Sequence, residues 1–368
     1  MSELPIPRTP KDLSADWLTA ALRSTGTIST STVTSIDVEP DIAAGSGFMG
    51  QLARVALTYD QREDAAPATL IGKFPTYGPE NRAIADMFRM YETETRFYEE
   101  IAPKVELRTP RRYYSARAAD STDFILLMED LAPARCGDQL AGCMRSEAEL
   151  AVRELAKFHA LWWESPALAE FDWIWTFNNA VRSAAAQGAY AATWAPFKEL
   201  WAHRVPAPIL AMGEKFHEAL PKLLDRLAAR PVTITHGDYR VDNLFFASPQ
   251  GGAPLAVVDW QIISLGCGPF DLAYFMAGAM PPADRRAIEK DLLRTYYDTL
   301  IAHGVKDYDF ERCLLDYRIS ALFCWQYAAI ILGTLDATNE RGLALFTDIL
   351  DRFTSIITDL NAVDLLPA

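Results

Sequence analysis

The sequence predicts an α+β fold in two lobes: a small, strand-rich N-terminal lobe over residues 1–130 and a larger, mainly helical lobe with a short β insert over residues 131–368. Three observations carry that expectation. The chain has 368 residues, beyond the size at which one hydrophobic core usually stops growing. Residues Thr32 to Pro75 alternate strand-like runs with turns, the pattern of an antiparallel meander. From about Cys136 onward the apolar spacing becomes helical, with one break over Val232 to Ser264. Strands first and helices afterwards favour segregated layers over alternating ones.

Each element has a local reason. Ser14 is placed to cap a helix over Ala15 to Arg23, and Gly26 to stop it. Thr32 to Val38, Leu52 to Tyr59 and Thr69 to Pro75 are rich in β-formers and separated by turn residues. A helix is predicted over Asn81 to Ala102, ended by Pro103. Arg112 to Ala118 and Asp123 to Met128 read as strands again, and the lobes are expected to join near Glu129 to Pro133. The last third predicts helices over Pro282 to His303, Phe310 to Leu335 and Glu340 to Leu360.

Composition narrows the function classes. The formal net charge of −14 argues against nucleic acid or an anionic membrane as a partner, since both reward basic patches. A nucleotide remains compatible, because a phosphate site needs only a few local donors and a metal ion. The cysteines Cys136, Cys143, Cys267, Cys313 and Cys324 are scattered singly, without zinc-type spacing, as expected of free thiols in a reducing compartment. Met1 to Pro10 lacks the basic-then-apolar pattern of a signal peptide, and the apolar run Ile319 to Gly333 is too short to span a bilayer. The expectation is a cytoplasmic protein.

The sharpest segment is Ile234-Thr-His-Gly-Asp-Tyr-Arg-Val-Asp-Asn243, followed by Leu255-Ala-Val-Val-Asp-Trp-Gln261. One apolar strand delivers His236, Gly237 and Asp238; Asn243 follows five residues after Asp238; a second apolar strand ends in Asp259. Phosphoryl transfer needs such a set: a carboxylate beside the attacking hydroxyl, and an amide oxygen and another carboxylate for magnesium on the phosphates. The Asp-x-x-x-x-Asn spacing matches the catalytic loop of protein kinases, and Asp259 stands where their metal-binding aspartate would. Asp and Asn are also ordinary turn residues; the ordered set between apolar strands is what favours chemistry.

The N-terminal half adds independent signals. Lys73 interrupts a short apolar strand, where lysine is depleted, so it either holds phosphate or snorkels to water. Met87, Tyr91, Glu94, Tyr98 and Ile101 step by four and three, which puts Glu94 on a buried helical stripe. A carboxylate there either finds a cation, for which Lys73 is the candidate, or snorkels locally to water. Gly45-Ser-Gly47-Phe-Met-Gly50 has Gly-x-Gly-x-x-Gly spacing and is followed by a strand, not a helix. That favours a hairpin loop over phosphates, with a plain turn or a dinucleotide-binding loop as the other readings.

On His236-Gly-Asp-x-x-x-x-Asn243 and Asp259-Trp-Gln261, the chain resembles the aminoglycoside phosphotransferase and choline kinase superfamily, most closely its bacterial ecdysteroid-kinase-like branch. The resemblance extends over nearly the whole chain and is looser toward the N-terminus. It implies a protein-kinase-like bilobal fold with ATP bound between the lobes, Asp238 as catalytic carboxylate, and Asn243 and Asp259 as magnesium ligands. It implies that Lys73, Glu94 and the glycines serve the nucleotide, and that Met128, Glu129, Asp130 and Leu131 form the hinge whose backbone pairs with adenine. His236 shapes the loop, and Asp271 braces it, as a structural residue. Arg240 and Asp242 stay outside the assignment, because a mutual salt bridge is as good a reading as a ligand contact.

Aromatics crowd the region from Trp162 to Trp201. Most are expected in the core; the remainder could line a roomy acceptor pocket for an aromatic or sterol-like alcohol, or for a choline-like one. A cluster of carboxylates suited to an aminoglycoside is not conspicuous there. The function read from the sequence is an ATP- and magnesium-dependent transfer of phosphate to a hydroxyl of a small molecule. The rival readings are a nucleotide-binding protein without catalysis, against which the full residue set counts, and a protein kinase. Against the latter stand His-Gly-Asp, Asp-Trp-Gln in place of Asp-Phe-Gly, and the lack of an Ala-Pro-Glu segment.

Overall fold

The computed structural model describes residues 4–42, 49–119, 121–334 and 340–368, with side chains from 346 onward in the last stretch. Contacts divide the chain into two compact units, Met1–Ala134 with Pro249–Gly252 and Val258–Ile262, and Arg135–Ser248 with Ala253–Val257 and Ile263–Ala368.

The first unit is built on a sheet. Helix α1 (Ala15–Ser24) opens it, capped by Ser14, whose hydroxyl accepts from the Trp17 amide at 3.1 Å. Strands β1 (Val33–Glu39), β2 (Gly50–Tyr59) and β3 (Thr69–Pro75) follow. Then come helices α2 (Pro79–Met87) and α3 (Met90–Arg96), and strands β4 (Arg112–Arg117) and β5 (Phe124–Glu129). The sheet order is β1-β2-β3-β5-β4, antiparallel throughout, so β3 is central. Leu18 and Leu22 of α1 pack on Val55, Leu70, Phe74, Ile125 and Leu127, all fully buried. Burying each such side chain contributes roughly 1.5–3 kcal/mol.

The helix predicted over Asn81 to Ala102 is a correction: it is broken. Arg89 adopts a left-handed conformation (φ +53°) between α2 and α3, and its guanidinium folds onto Glu92 at 2.7 and 2.8 Å. A π turn over Phe97–Ile101 then widens the end of α3. Of the expected stripe, Tyr91, Glu94, Tyr98 and Ile101 are buried, whereas Met87, before the break, is exposed.

The second unit is mainly helical. In chain order it contains β6 (Arg135–Cys136), α4 (Arg145–Trp162), α5 (Ala180–Trp201), α6 (Ala207–Ala228), β7 (Thr233–Thr235) and β8 (Leu244–Ser248). Strand β9 (Gly251–Val257), whose first two residues fall in the first unit, leads to β10 (Ser264–Gly266), α7 (Pro269–Gly278), α8 (Pro282–Ala302), α9 (Phe310–Thr334) and α10 (Glu340–Asp359). Strands β7 and β10 pair antiparallel, with Thr235 opposite Ser264, and β6-β8-β9 form a second small sheet. Tyr190, Phe197, Trp201 and Trp325 are core residues; Trp325 Nε1 donates to Tyr190 Oη at 3.0 Å, and Tyr190 Oη to the Gly213 carbonyl at 3.0 Å. The core reading therefore holds for most of the aromatic run, while Trp163, Trp175 and Trp194 keep partial exposure. Among the described residues no helix is long and apolar enough to cross a membrane.

Candidate active site

In the first unit, the central strand β3 places Lys73 opposite Leu52 of β2 and Leu126 of β5. Its ammonium lies 2.9 and 2.7 Å from the two oxygens of Glu94 on α3 and 2.9 Å from Asp259 Oδ1. Glu94 is 1% exposed and Lys73 7%. Burial pushes the lysine pKa down, but the charges of Asp259 and Glu94 outweigh it and leave the ammonium raised above its usual value. Two carboxylates share one ammonium. The deeper of them, Glu94, has its pKa pushed up to about 7, by burial first; Lys73 opposes the rise and the like charge of Asp259 adds to it.

Asp259 sits at φ +68°, a region that non-glycine residues seldom occupy and that costs free energy wherever it is held. Its neighbour holds it there. Trp260 is fully buried and stacks on Phe97, ring centroids 4.0 Å apart and 6° from parallel. Phe97 directly follows α3, so the same short stretch of chain carries Glu94 and the anchor for Asp259. Gln261 Nε2 adds a 3.3 Å contact to Asp259 Oδ2.

Gly50 opens β2 beside this group. A Cβ there would lie 3.2 Å from Lys73 Cε and 3.2 Å from the Phe74 carbonyl, so glycine leaves room for the lysine stem. Gly45 and Gly47 lie outside the described residues. At the end of β5, Met128 is buried and the carboxylates beyond it are engaged: Glu129 with Arg108 at 2.5 Å, Asp130 with Arg54 at 2.8 Å.

In the second unit, β7 delivers His236, Gly237 and Asp238. Gly237 takes φ +86°, which a side chain would strain. The buried Asp271 of α7 accepts from the amides of His236 at 2.6 Å and Gly237 at 2.9 Å, and meets His159 Nε2 at 3.1 Å. His159 Nδ1 in turn meets the Tyr296 hydroxyl at 2.8 Å. His236 Nδ1 accepts from the Asp238 amide at 3.2 Å, which makes this histidine a loop-shaping acceptor.

Asn243 closes the loop. Its Nδ2 donates to Asp238 Oδ2 at 3.0 Å and to the Asp238 carbonyl at 2.9 Å. Both amide hydrogens are thereby committed to Asp238, and Asn243 presents its Oδ1, the hard oxygen that magnesium takes. Asp259, in the first unit, offers a carboxylate oxygen of the same hard character. Among the described residues no group of three or more His, Cys, Asp or Glu is gathered for a metal. A magnesium site completed by an amide oxygen and nucleotide phosphates does not need one.

Sequence reasoning left out Arg240, and the structure places it at the centre of the loop. Its Nε lies 3.1 Å from Asp238 Oδ2 and its NH1 2.5 Å from Asp242 Oδ2. Burial lowers its pKa, but Asp238, Tyr274 and Asp242 more than reverse that. The alternation Asp238, Arg240, Asp242 was the available signal. His159 was also missed, and a single histidine on an amphipathic helix offers no such signal.

Residues 44–306 match the ecdysteroid kinase-like family. Among solved structures, a Ralstonia eutropha JMP134 protein proposed to be an aminoglycoside phosphotransferase is similar at 16% identity, covering 95% of this chain and 98% of that one, with a TM-score of 0.54. Wild-type aminoglycoside 2'-phosphotransferase-IIIa in its GDP complex is 12% identical over 93% and 99% of the two chains, with a TM-score of 0.52. The GDP and kanamycin complex of an aminoglycoside phosphotransferase gives 13%, 92% and 98%, and 0.50. These likenesses establish the kinase-like bilobal fold. No curated protein matches the chain.

Proposed function

We propose, on the premise that this chain belongs to the ecdysteroid kinase-like family, that it transfers the terminal phosphoryl group of ATP to a hydroxyl group of a small molecule. The observation that supports this best is the catalytic loop. Asp238 is partly exposed and tethered through its carboxylate to Asn243 and Arg240, on a main chain pinned by Asp271. In such a transfer the protein mostly positions the acceptor and stabilises charge.

In this reading Asp238 orients the acceptor hydroxyl. As the hydroxyl oxygen bonds to the γ-phosphorus and the bridging bond to ADP breaks, Asp238 takes the acceptor proton and later releases it to water. Asn243 and Asp259 would hold magnesium, which supplies charge neutralisation on the phosphates when bound. Lys73, fixed by Glu94, places an ammonium for the phosphates. Gly45, Gly47 and Gly50 serve the phosphate loop, and the main chain of Met128 to Leu131 receives the adenine. Arg240 holds Asp238 in its acceptor-facing rotamer.

The test is to incubate the full chain with magnesium, γ-labelled ATP and a library of small alcohols. The expected result is label on a small molecule. Label only in free phosphate, or in added protein, would contradict the reading.

A further inference from the structure

Away from the catalytic candidates, the second unit holds a cavity of about 750 Å³ between the end of α4, the approach to β7 and the loop that joins α8 to α9. Two of its lining residues are aromatic. The Trp163 and Tyr308 rings meet with centroids 4.8 Å apart at 57°. The Tyr308 hydroxyl donates to Asp316 Oδ2 at 3.0 Å, which fixes that ring. A cavity of this size, with aromatic lining and a few placed polar groups, has the form of a small-molecule site.

The lining carries more cation than anion: Arg230, Lys306 and Arg312 against Glu164 and Asp307. Glu164 is engaged, since it accepts from Arg230 NH1 and, at 2.6 Å, from the Val232 amide. Arg312 is held through one nitrogen, its Nε lying 2.9 and 3.0 Å from the two oxygens of Asp316. That contact sets the guanidinium plane, and among the described residues the two terminal nitrogens are left as donors. Lys306 and Asp307 are both exposed, and among the described residues the Lys306 ammonium has no partner. Two positively charged donors therefore line the same cavity as the two rings.

The cavity is joined to the brace of the catalytic loop. The Trp163 ring reaches Gly268, the residue before α7. A Cβ at Gly268 would lie 3.1 Å from Trp163 Cζ3, 3.1 Å from His159 Nδ1 and 2.7 Å from Tyr296 Oη. Trp163 thus shares one small space with the His159–Tyr296 pair. His159 in turn meets Asp271, whose carboxylate holds the His236 and Gly237 amides. A second tie runs through the main chain. The Glu164 amide donates to the Val232 carbonyl at 2.9 Å, and Thr233 Oγ1 of β7 donates to the His159 carbonyl at 2.8 Å. The lining residues Arg230 and Pro231 lead into β7, whereas Asp238 lies beyond its exit, so a ligand here is separate from the acceptor.

We propose that this cavity is an effector site for a planar aromatic carboxylate, with the ring on Trp163 and Tyr308 and the carboxylate at Arg312 and Lys306, and that its occupancy steadies the catalytic loop through Trp163, Gly268 and the His159–Asp271 pair. A flat ring gains contact with an indole and a phenol by stacking or by meeting them edge to face. A carboxylate suits a guanidinium whose plane is already set, because charge-assisted hydrogen bonds are the strong ones and little freedom is lost in forming them. The loop responds because the indole that carries the ligand also packs against the groups that hold Asp271. Binding and coupling of this kind do not depend on the kinase reading.

Three probes without a hydroxyl, so that none is an acceptor, test this: 2-naphthoate, 2-naphthamide and 2-naphthylmethylamine, each titrated into the full chain by calorimetry. The expected order is carboxylate, then amide, then ammonium, with about tenfold or more between the first two, the scale of one hydrogen bond to a charged group. Lys306→Glu, at an exposed position, should weaken the carboxylate by about the same factor and leave the amide unchanged. Ala160→Phe, which fills the cavity, should abolish binding of all three. Hydrogen exchange at the His236 and Gly237 amides should slow when 2-naphthoate binds the parent chain, and should not respond to it in Ala160→Phe. Failure of the parent chain to bind 2-naphthoate, amide or ammonium bound as tightly as the carboxylate, or a carboxylate affinity unchanged in Lys306→Glu would overturn the site. Binding that leaves exchange at those two amides unaltered would overturn the coupling.

Discussion

The two clusters of catalytic candidates are held together by opposite means. In the first unit Lys73, Glu94 and Asp259 come from a strand, a helix and a loop, and charge joins them across as many as 186 residues of chain. In the second unit, residues 236–243 form one loop whose main chain is laced to the single buried Asp271. The first cluster is two anions against one cation in a dry setting. The second interleaves charges, with Arg240 between Asp238 and Asp242. A site held by charge fails when the charge balance is altered. One held by backbone hydrogen bonds fails when its acceptor is altered.

Lys73→Met should break the first cluster hardest. It leaves two carboxylates without their ammonium, and removing one partner of a buried pair costs about 3–5 kcal/mol. Thermal melting at pH 7.5 should show that loss. At pH 5 the loss should shrink, because Glu94, already pushed upward, takes a proton. A variant that melts like the parent at pH 7.5 would show that charge balance is not what holds this cluster.

Asp271→Asn should come next, at about 2–3 kcal/mol, since the amide would turn a donor toward the donors it must satisfy. Hydrogen exchange should quicken at the His236 and Gly237 amides, and the Lys73 cluster should stay unchanged. Exchange spread equally over both units would dissolve the comparison.

Glu94→Gln should have the smallest effect on stability, about 1 kcal/mol or less at pH 7, because Lys73 then faces Asp259 one to one. Its pH signature is the sharper readout. Burial first, with Lys73 opposing and Asp259 adding, raises the Glu94 carboxyl to about 7, so the folded chain binds this proton more tightly than the unfolded chain does. The group contributes stability that is fully present below the ordinary carboxylate value of 4.5 and is lost as pH rises to about 7. The glutamine variant should lack that falling limb between pH 4.5 and 7 in a melting series. An identical pH profile in the variant would mean Glu94 is not the group that titrates.

The same contrast explains what the sequence revealed. The loop was legible because its parts are consecutive: an apolar strand, a glycine, then Asp238 and Asn243 at fixed spacing. The strands were legible from alternation, and β3 falls where Thr69 to Pro75 predicts it. Lys73 and Glu94 could be paired from a depleted residue on a strand and a carboxylate on a stripe. The role of Asp259 as a second anion on Lys73 could not, because no local pattern reports a contact between β3 and the end of β9. The break at Arg89 was hidden because neither Gly nor Pro marks it; the arginine stands in the left-handed region with its guanidinium paired to Glu92. Arg240 was visible yet undecidable, since charge alternation in a loop fits solvent exposure equally well. His159 reaches Asp271 from α4 and Tyr296 reaches His159 from α8, and these hydrogen bonds exist only in three dimensions.

The central claim is that Asp238 is the carboxylate that orients and deprotonates the acceptor. Asp238→Asn preserves shape and can still meet Asn243, while removing the charge. With an accepted alcohol in hand, single-turnover kinetics at saturating magnesium ATP isolate the chemical step. The account predicts a folded variant that binds ATP with near-native affinity and a chemical step slowed about a hundredfold or more, the scale of a general-base contribution. A step within a few-fold of the parent chain would contradict it.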